Sequence, residues 1–288
     1  MNRLAAEAAV FARSTYLQYI ALFQWADPRG YIAYKVLLPV GQILFFVELG
    51  VYATGRQNAV YFALGNAMQI AANATIFGVI ATVANERQYG TLPILLGSPA
   101  NRLVTFLSRA VVNVIDGVVS IAIGLVIAVL LFGIDLHHAN VALLALCVVV
   151  ISLSTAGLGL MFGSIGLVMR DAIIIANIVY YALLIVCGVN FPVSRLPAVL
   201  QVVAYSLPLT RGVQAAREAA VGSSLPGVAW LLAGEIAVGL AWALAGFFLF
   251  RALEAWARRG GMQEAEASRR AGEGPRRDQV GGGRWLAV

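Results

Sequence analysis

Cysteine, histidine and lysine are almost missing from this sequence, at two, two and one residues in 288. Cys147 and Cys187 both fall inside apolar runs, where a free thiol behaves as a small hydrophobe. They therefore specify neither a disulfide nor a redox compartment. No Cys-x-x-Cys or Cys/His cluster occurs, and His137 and His138 are neighbours in an expected loop, so no metal site is expected. The lone lysine, Lys35, opens an apolar run. No Gly-x-x-x-x-Gly-Lys-Ser/Thr loop surrounds it, and cradling ATP phosphates needs such a loop. Hydrolysis of ATP is not expected on this chain.

Charge is scarce as well. Charged residues make up 12% of the sequence, about half the roughly 25% of an average soluble domain. The formal net charge of +6 comes almost wholly from arginine at the ends of apolar runs. A nucleic-acid binder would gather such residues on one soluble face, so that class of partner is set aside.

What the sequence does have is apolar length: 60% of its residues are hydrophobic. A helix that crosses a bilayer needs roughly 20 mostly apolar residues. Six runs are expected to do so: about 31–52, 59–84, 103–132, 141–168, 173–189 and 228–249. The third and fourth exceed the minimum and must tilt, kink or project. Before them, residues from about 3 to 26 pattern as a helix too polar to span, since Arg3, Glu7, Arg13 and Gln18 interrupt it. It reads as an amphipathic helix in the interface, not a signal peptide, and Asp27-Pro28 breaks it.

Arginine sets the orientation. With both termini, the 85–102 connection and Met169-Arg170-Asp171 placed in the cytoplasm, most basic residues lie inside, and Arg56, Arg195, Arg211 and Arg217 remain outside. That asymmetry follows the positive-inside rule. The expected organisation is an all-α membrane protein: an interface helix over 1–28, a six-span domain over 29–252 and a tail over 253–288. Arg, Gly and Glu dominate the tail, and such a composition favours disorder.

Two segments carry more than composition. Glu86-Arg87-Gln88-Tyr89-Gly90-Thr91-Leu92-Pro93 through Leu95, Leu96 and Pro99 joins the second and third runs. After the fifth run come Gly188, Phe191-Pro192, Leu196-Pro197, Pro208-Leu209-Thr210 and Arg217. Together they resemble the type-2 ABC transporter permeases, over about residues 10 to 250. The resemblance implies a cytoplasmic coupling helix over the first segment, seated in a separate ATPase subunit. Glu86, Arg87, Gly90, Thr91, Leu92, Leu95, Leu96 and Pro99 would form it. Many relatives carry glutamate where this chain has Pro93, so one polar contact to the ATPase is in question. It also implies short re-entrant helices on the outer side over the second segment. From the residues alone, 86–99 reads equally well as an interfacial reversal that docks nothing. An apolar plug of leucines nevertheless calls for a burial partner.

Polar residues within the runs mark a candidate path. Asn66, Gln69 and Asn73 share one helical face, and Asn177, Tyr180, Tyr181 and Asn190 give the fifth run a polar surface. The resemblance places the translocation cavity between these two runs of facing permeases; ordinary hydrogen bonding between packed spans is the other reading. On the third run Arg109, Asn113, Asp116 and Ser120 share a face. Asp116 needs a partner, and Arg109 or a residue of another helix could supply it. A structural charge network is preferred to a proton relay.

The resemblance thus implies an ABC exporter of an amphipathic substrate: a drug-like natural product, a lipid or a lipid-linked glycan. Two such chains, identical or homologous, would pair in the bacterial inner membrane with two ATPase subunits. ATP and magnesium would bind those subunits, with no cofactor on this chain. The rivals are an ion-coupled transporter using Asp116 or Glu48, and a membrane assembly factor without transport.

Overall fold

The computed structural model describes residues 11–17, 19–20, 28–88, 102–133, 137–166 and 172–270. Among them no strand occurs, and helix dominates. Residues 11–17 and 19–20 are helical, part of the expected interface segment. Helices α1 (Pro28–Thr54), α2 (Ala59–Gln88), α3 (Arg102–Phe132), α4 (Val141–Ile165) and α5 (Ala172–Val186) follow. Two short helices come next, α6 (Ala198–Ser206) and α7 (Thr210–Ala220), and then α8 (Leu225–Arg270).

Local chemistry explains several of these bounds. α3 stops where Gly133, at φ 60, turns its N–H back to Val129 O at 2.9 Å; glycine takes that left-handed conformation at little cost. α4 starts under an Asn140 cap, whose side chain accepts from Leu143 N at 3.1 Å, the usual remedy for an orphan N–H in a first turn. Pro39 sits inside α1, and a proline is tolerated there because neighbouring helices can satisfy the carbonyl it frees.

Five of the helices contain stretches long and apolar enough to cross a membrane: Lys35–Thr54, Arg56–Thr82, Val111–Phe132, Val141–Ile165 and Leu225–Leu253. The fifth expected span corresponds to α5, which at 15 residues falls short of the roughly 20 of a full crossing. It ends at Val186, where the chain bends through residues 187–191. α8 continues past residue 252, where a tail was expected to begin, and stays helical to Arg270; residues 271–288 lie outside the described residues.

Burial is inverted relative to a soluble domain. Leu37, Leu130 and Trp230 are 67%, 78% and 66% exposed, while Asn66, Gln69 and Glu235 are fully buried. Apolar side chains left outside and polar ones drawn in suit a hydrocarbon solvent. Two apolar clusters fill the interior. One joins α2, α4, α5, α7 and α8 around Met68, Ile76, Ile151, Leu183 and Val213. The other joins α1, α2 and α3 around Ile43, Phe62 and Ile127.

The most extensive pairing is α4 with α8. A Cβ on Gly239 would stand 2.5 Å from Ser154 Cα, and one on Gly246 would stand 2.7 Å from Met161 N. Small residues allow such backbone approach, and dispersion and packing then hold helices that share an apolar solvent.

Candidate functional site

Polar side chains inside the bundle gather into three assemblies. The first joins α1 to α3. Lys35 Nζ lies 2.6 Å from Asp116 Oδ2 and donates to Ser120 Oγ at 2.6 Å. Ser120 donates in turn to Asp116 O, one turn back on its own helix, at 2.7 Å. One turn earlier on α3, Asn113 donates to Thr82 Oγ1 of α2 at 3.1 Å. Asp116 thus finds its cation on another helix, and that cation is the chain's single lysine. The expected face of α3 is real for Asn113, Asp116 and Ser120, while the Arg109 side chain lies outside the described residues.

The second assembly holds most of the expected path. Asn66 donates to Asn190 Oδ1 at 2.8 Å and to Phe62 O at 3.0 Å. Gln42 of α1 donates to Asn66 Oδ1 at 3.4 Å and accepts from Tyr180 OH at 3.1 Å. Gln69 donates to Tyr180 O at 3.3 Å. Asn66, Gln69, Tyr180 and Asn190 therefore form one polar file between α1, α2 and α5. Gln69 Oε1 and Asn73 Oδ1, one turn apart on α2, are buried without a hydrogen-bond partner. Asn177 and Tyr181 stand apart on the exposed side of α5: Asn177 bonds its own Ile173 O at 3.0 Å, and the Tyr181 ring is 56% exposed. Gln42 was not anticipated, although a glutamine amid the apolar residues of the first run was a visible signal.

The third assembly lies at the distal end of the bundle, where α2, α4 and α8 begin and α5 ends. Here Gly188, at φ 75, turns the chain so that its carbonyl and that of Val189 face Arg217 of α7. The guanidinium donates to Gly188 O at 2.9 Å, Val189 O at 2.8 Å and Tyr61 O at 3.1 Å. Its central carbon sits 3.4 Å from the centroid of the Tyr61 ring, an attractive cation–π stack. α7 is held at both ends. Its C-terminal turn is met by Asn140, which donates to Ala219 O at 2.9 Å and Ser223 O at 3.3 Å. Its N-terminus is met by Glu235 of α8, which accepts from Leu209 N at 2.5 Å, Gly212 N at 3.0 Å and Ser154 Oγ at 2.6 Å.

Of the expected coupling segment, Glu86 and Arg87 fall in the last turn of α2. Gly90, Thr91, Leu92, Leu95, Leu96 and Pro99 lie outside the described residues. After the fifth run, where re-entrant helices were expected, the chain forms two short helices, α6 and α7. No group of three or more His, Cys, Asp or Glu is arranged to hold a metal among the described residues.

Comparison with known proteins gives one finding. A family model described as ABC-2 type transporter matches residues 15–221, which takes in α1 through α7 and the two motif segments. No curated protein matches the sequence.

Proposed function

The chain belongs to the ABC-2 type transporter family, and on that footing we propose that it is the membrane permease subunit of an ATP-driven exporter. The observation that carries this reading is the match itself. It runs through a helical bundle with five candidate membrane spans and takes in the sequence motifs at 86–99 and 187–217. The membrane-permease assignment is the family's.

In this reading α5 completes a six-span unit, with α6 and α7 as re-entrant helices at the outer surface and both termini in the cytoplasm of a bacterial cell. The 86–99 connection docks in an ATPase subunit that binds ATP and magnesium. The only lysine of the chain is committed to Asp116, which supports placing hydrolysis on that separate subunit. The same pair weakens the ion-coupled alternative, since a proton carrier at Asp116 would first have to shed a 2.6 Å counter-ion. Two permeases and two ATPases would move an amphipathic molecule by alternating access, with the polar file of Asn66, Gln69, Tyr180 and Asn190 facing the route. A drug-like product, a lipid or a lipid-linked glycan fits that description.

The test is the docking segment. Leu92, Leu95 and Leu96 changed together to serine should release the ATPase subunit during purification and abolish ATP-dependent export. The chain itself should remain folded in the membrane. Co-purification and export at wild-type levels would sink the proposal.

A further inference from the structure

Glu235 presents a carboxylate that is fully buried within α8, the last candidate span. Burying such a group is costly unless its lone pairs are all met. Both oxygens are used here: Oε1 takes the Ser154 hydroxyl and Leu209 N–H, and Oε2 takes Gly212 N–H. The two backbone donors come from the N-cap and the first turn of α7, whose positive end favours an anion. Space around the joint is closed, because a Cβ on Gly212 would collide with Ile151 and approach Glu235 Cδ at 3.4 Å.

The backbone is also set for this contact. Leu209 is the one non-glycine residue at positive φ among the described residues, at 88°. A leucine holds that conformation only where its surroundings impose it, and the bond from its N–H to Glu235 is such an imposition. Ser154 belongs to α4, which packs backbone against backbone on α8 at Gly239. One carboxylate therefore fastens α7 to the α4–α8 pair. α6 is bonded to both of its neighbours, since Trp242 of α8 donates to Ser206 O at 2.8 Å. Val199 and Val202 are 75% and 69% exposed, and Thr210 and Arg211 tie it to α7 through Ala204 O and Tyr205 O, at 2.5 and 2.6 Å.

We propose that Glu235 is a positioning residue of the transport cycle, which locks α7 to α4 and α8 so that the three move as one body. This rests on the permease reading above.

Hydrogen exchange on the full chain in lipid nanodiscs with its ATPase subunit tests it. Amides 209–213 should exchange slowly in the nucleotide-free wild type. On trapping with ATP and vanadate, they should change in step with 232–238. E235Q keeps the shape but replaces one acceptor oxygen with a donor. It should raise exchange at 209–213 by about tenfold or more, as expected when a buried hydrogen bond is lost and its donor left unsatisfied, and leave 143–158 unchanged. E235D, which retains the carboxyl group, should recover part of the protection.

Wild-type exchange at 209–213 in E235Q would overturn the proposal. So would a wild-type response in which 209–213 and 232–238 change independently, an arm that holds even if the variant misfolds. A complex in which ATP and vanadate alter exchange nowhere would sink the permease reading instead; the nucleotide-free comparison of E235Q with wild type would still decide what Glu235 holds.

Discussion

Lys35 and Asp116 are 81 positions apart and meet at 2.6 Å. Breaking a buried pair by removing one partner costs about 3–5 kcal/mol, whereas replacing both with apolar groups is often neutral. K35M or D116L alone should therefore lower the melting temperature of the purified chain clearly, and K35M/D116L should recover most of the loss. Unfolding can be followed with a thiol-reactive dye, because Cys147 and Cys187 are free and buried. Losses that simply add in the double variant would mean the pair contributes no coupling. At this scale the sequence was only half legible. A lone aspartate deep in an apolar run announces that it needs a partner, but the partner's identity depends on the register of two helices, which no local pattern records. The same holds for Glu235. Its three donors come from α4, the turn before α7 and the first turn of α7 itself, and their convergence exists only after packing. Arg217 was marked by its place after Pro208-Leu209-Thr210, although nothing in that run indicated that its targets were the carbonyls of Gly188, Val189 and Tyr61.

Helices were the most legible level, because apolar length is counted directly from the residues. α3 begins and ends within a residue of the expected 103–132, and α2 starts at the expected Ala59. The last helix was misjudged in extent for an identifiable reason. Residues 252–270 are rich in Ala, Glu and Arg, all strong helix formers. A helix already nucleated by a span extends into them without paying for a new nucleus. At 46 residues α8 is about 69 Å long, more than twice a hydrocarbon layer of about 30 Å. Two of its glycines make opposite predictions. G239A should destabilise the chain by about 1–3 kcal/mol, the usual cost of forcing bulk into a packed contact, because Ser154 stands in the way. G227A, with nothing within 4 Å of the added carbon, should be neutral or gain up to about 1 kcal/mol in helix propensity. Thermal unfolding of the two variants decides the matter, and equal effects would show that the α4–α8 approach is not a close one.

For the molecule as a whole, the pattern of burial separates two kinds of polar residue. Those that bind helix to helix, such as Asn66, Asn113 and Glu235, are buried and hydrogen-bonded. Among the buried polar atoms without a partner, Gln69 Oε1 and Asn73 Oδ1 lie on the face of α2 that the sequence marked as a path, while Thr75 Oγ1, Ser152 Oγ and Arg217 Nε lie elsewhere. The family and its helical frame were thus readable from apolar runs and two motifs. What divides hydrogen-bonded from unsatisfied polar groups was not, since both kinds appear in sequence as isolated polar letters in an apolar text.

The scarcity of lysine has a chemical consequence. Acylating reagents attack uncharged amines, and the only side-chain amine in this protein is 7% exposed and held against a carboxylate. Under mild conditions such a reagent should modify the terminal amine and spare Lys35, and D116N should make Lys35 reactive. Intact-protein mass spectrometry would count the added groups, and equal labelling of Lys35 in both chains would contradict the pairing. If α1 and α3 part at any stage of turnover, that stage would leave an acyl mark on residue 35. The protein would then carry its own single-site chemical clock for the separation of two helices, with no label engineered into it.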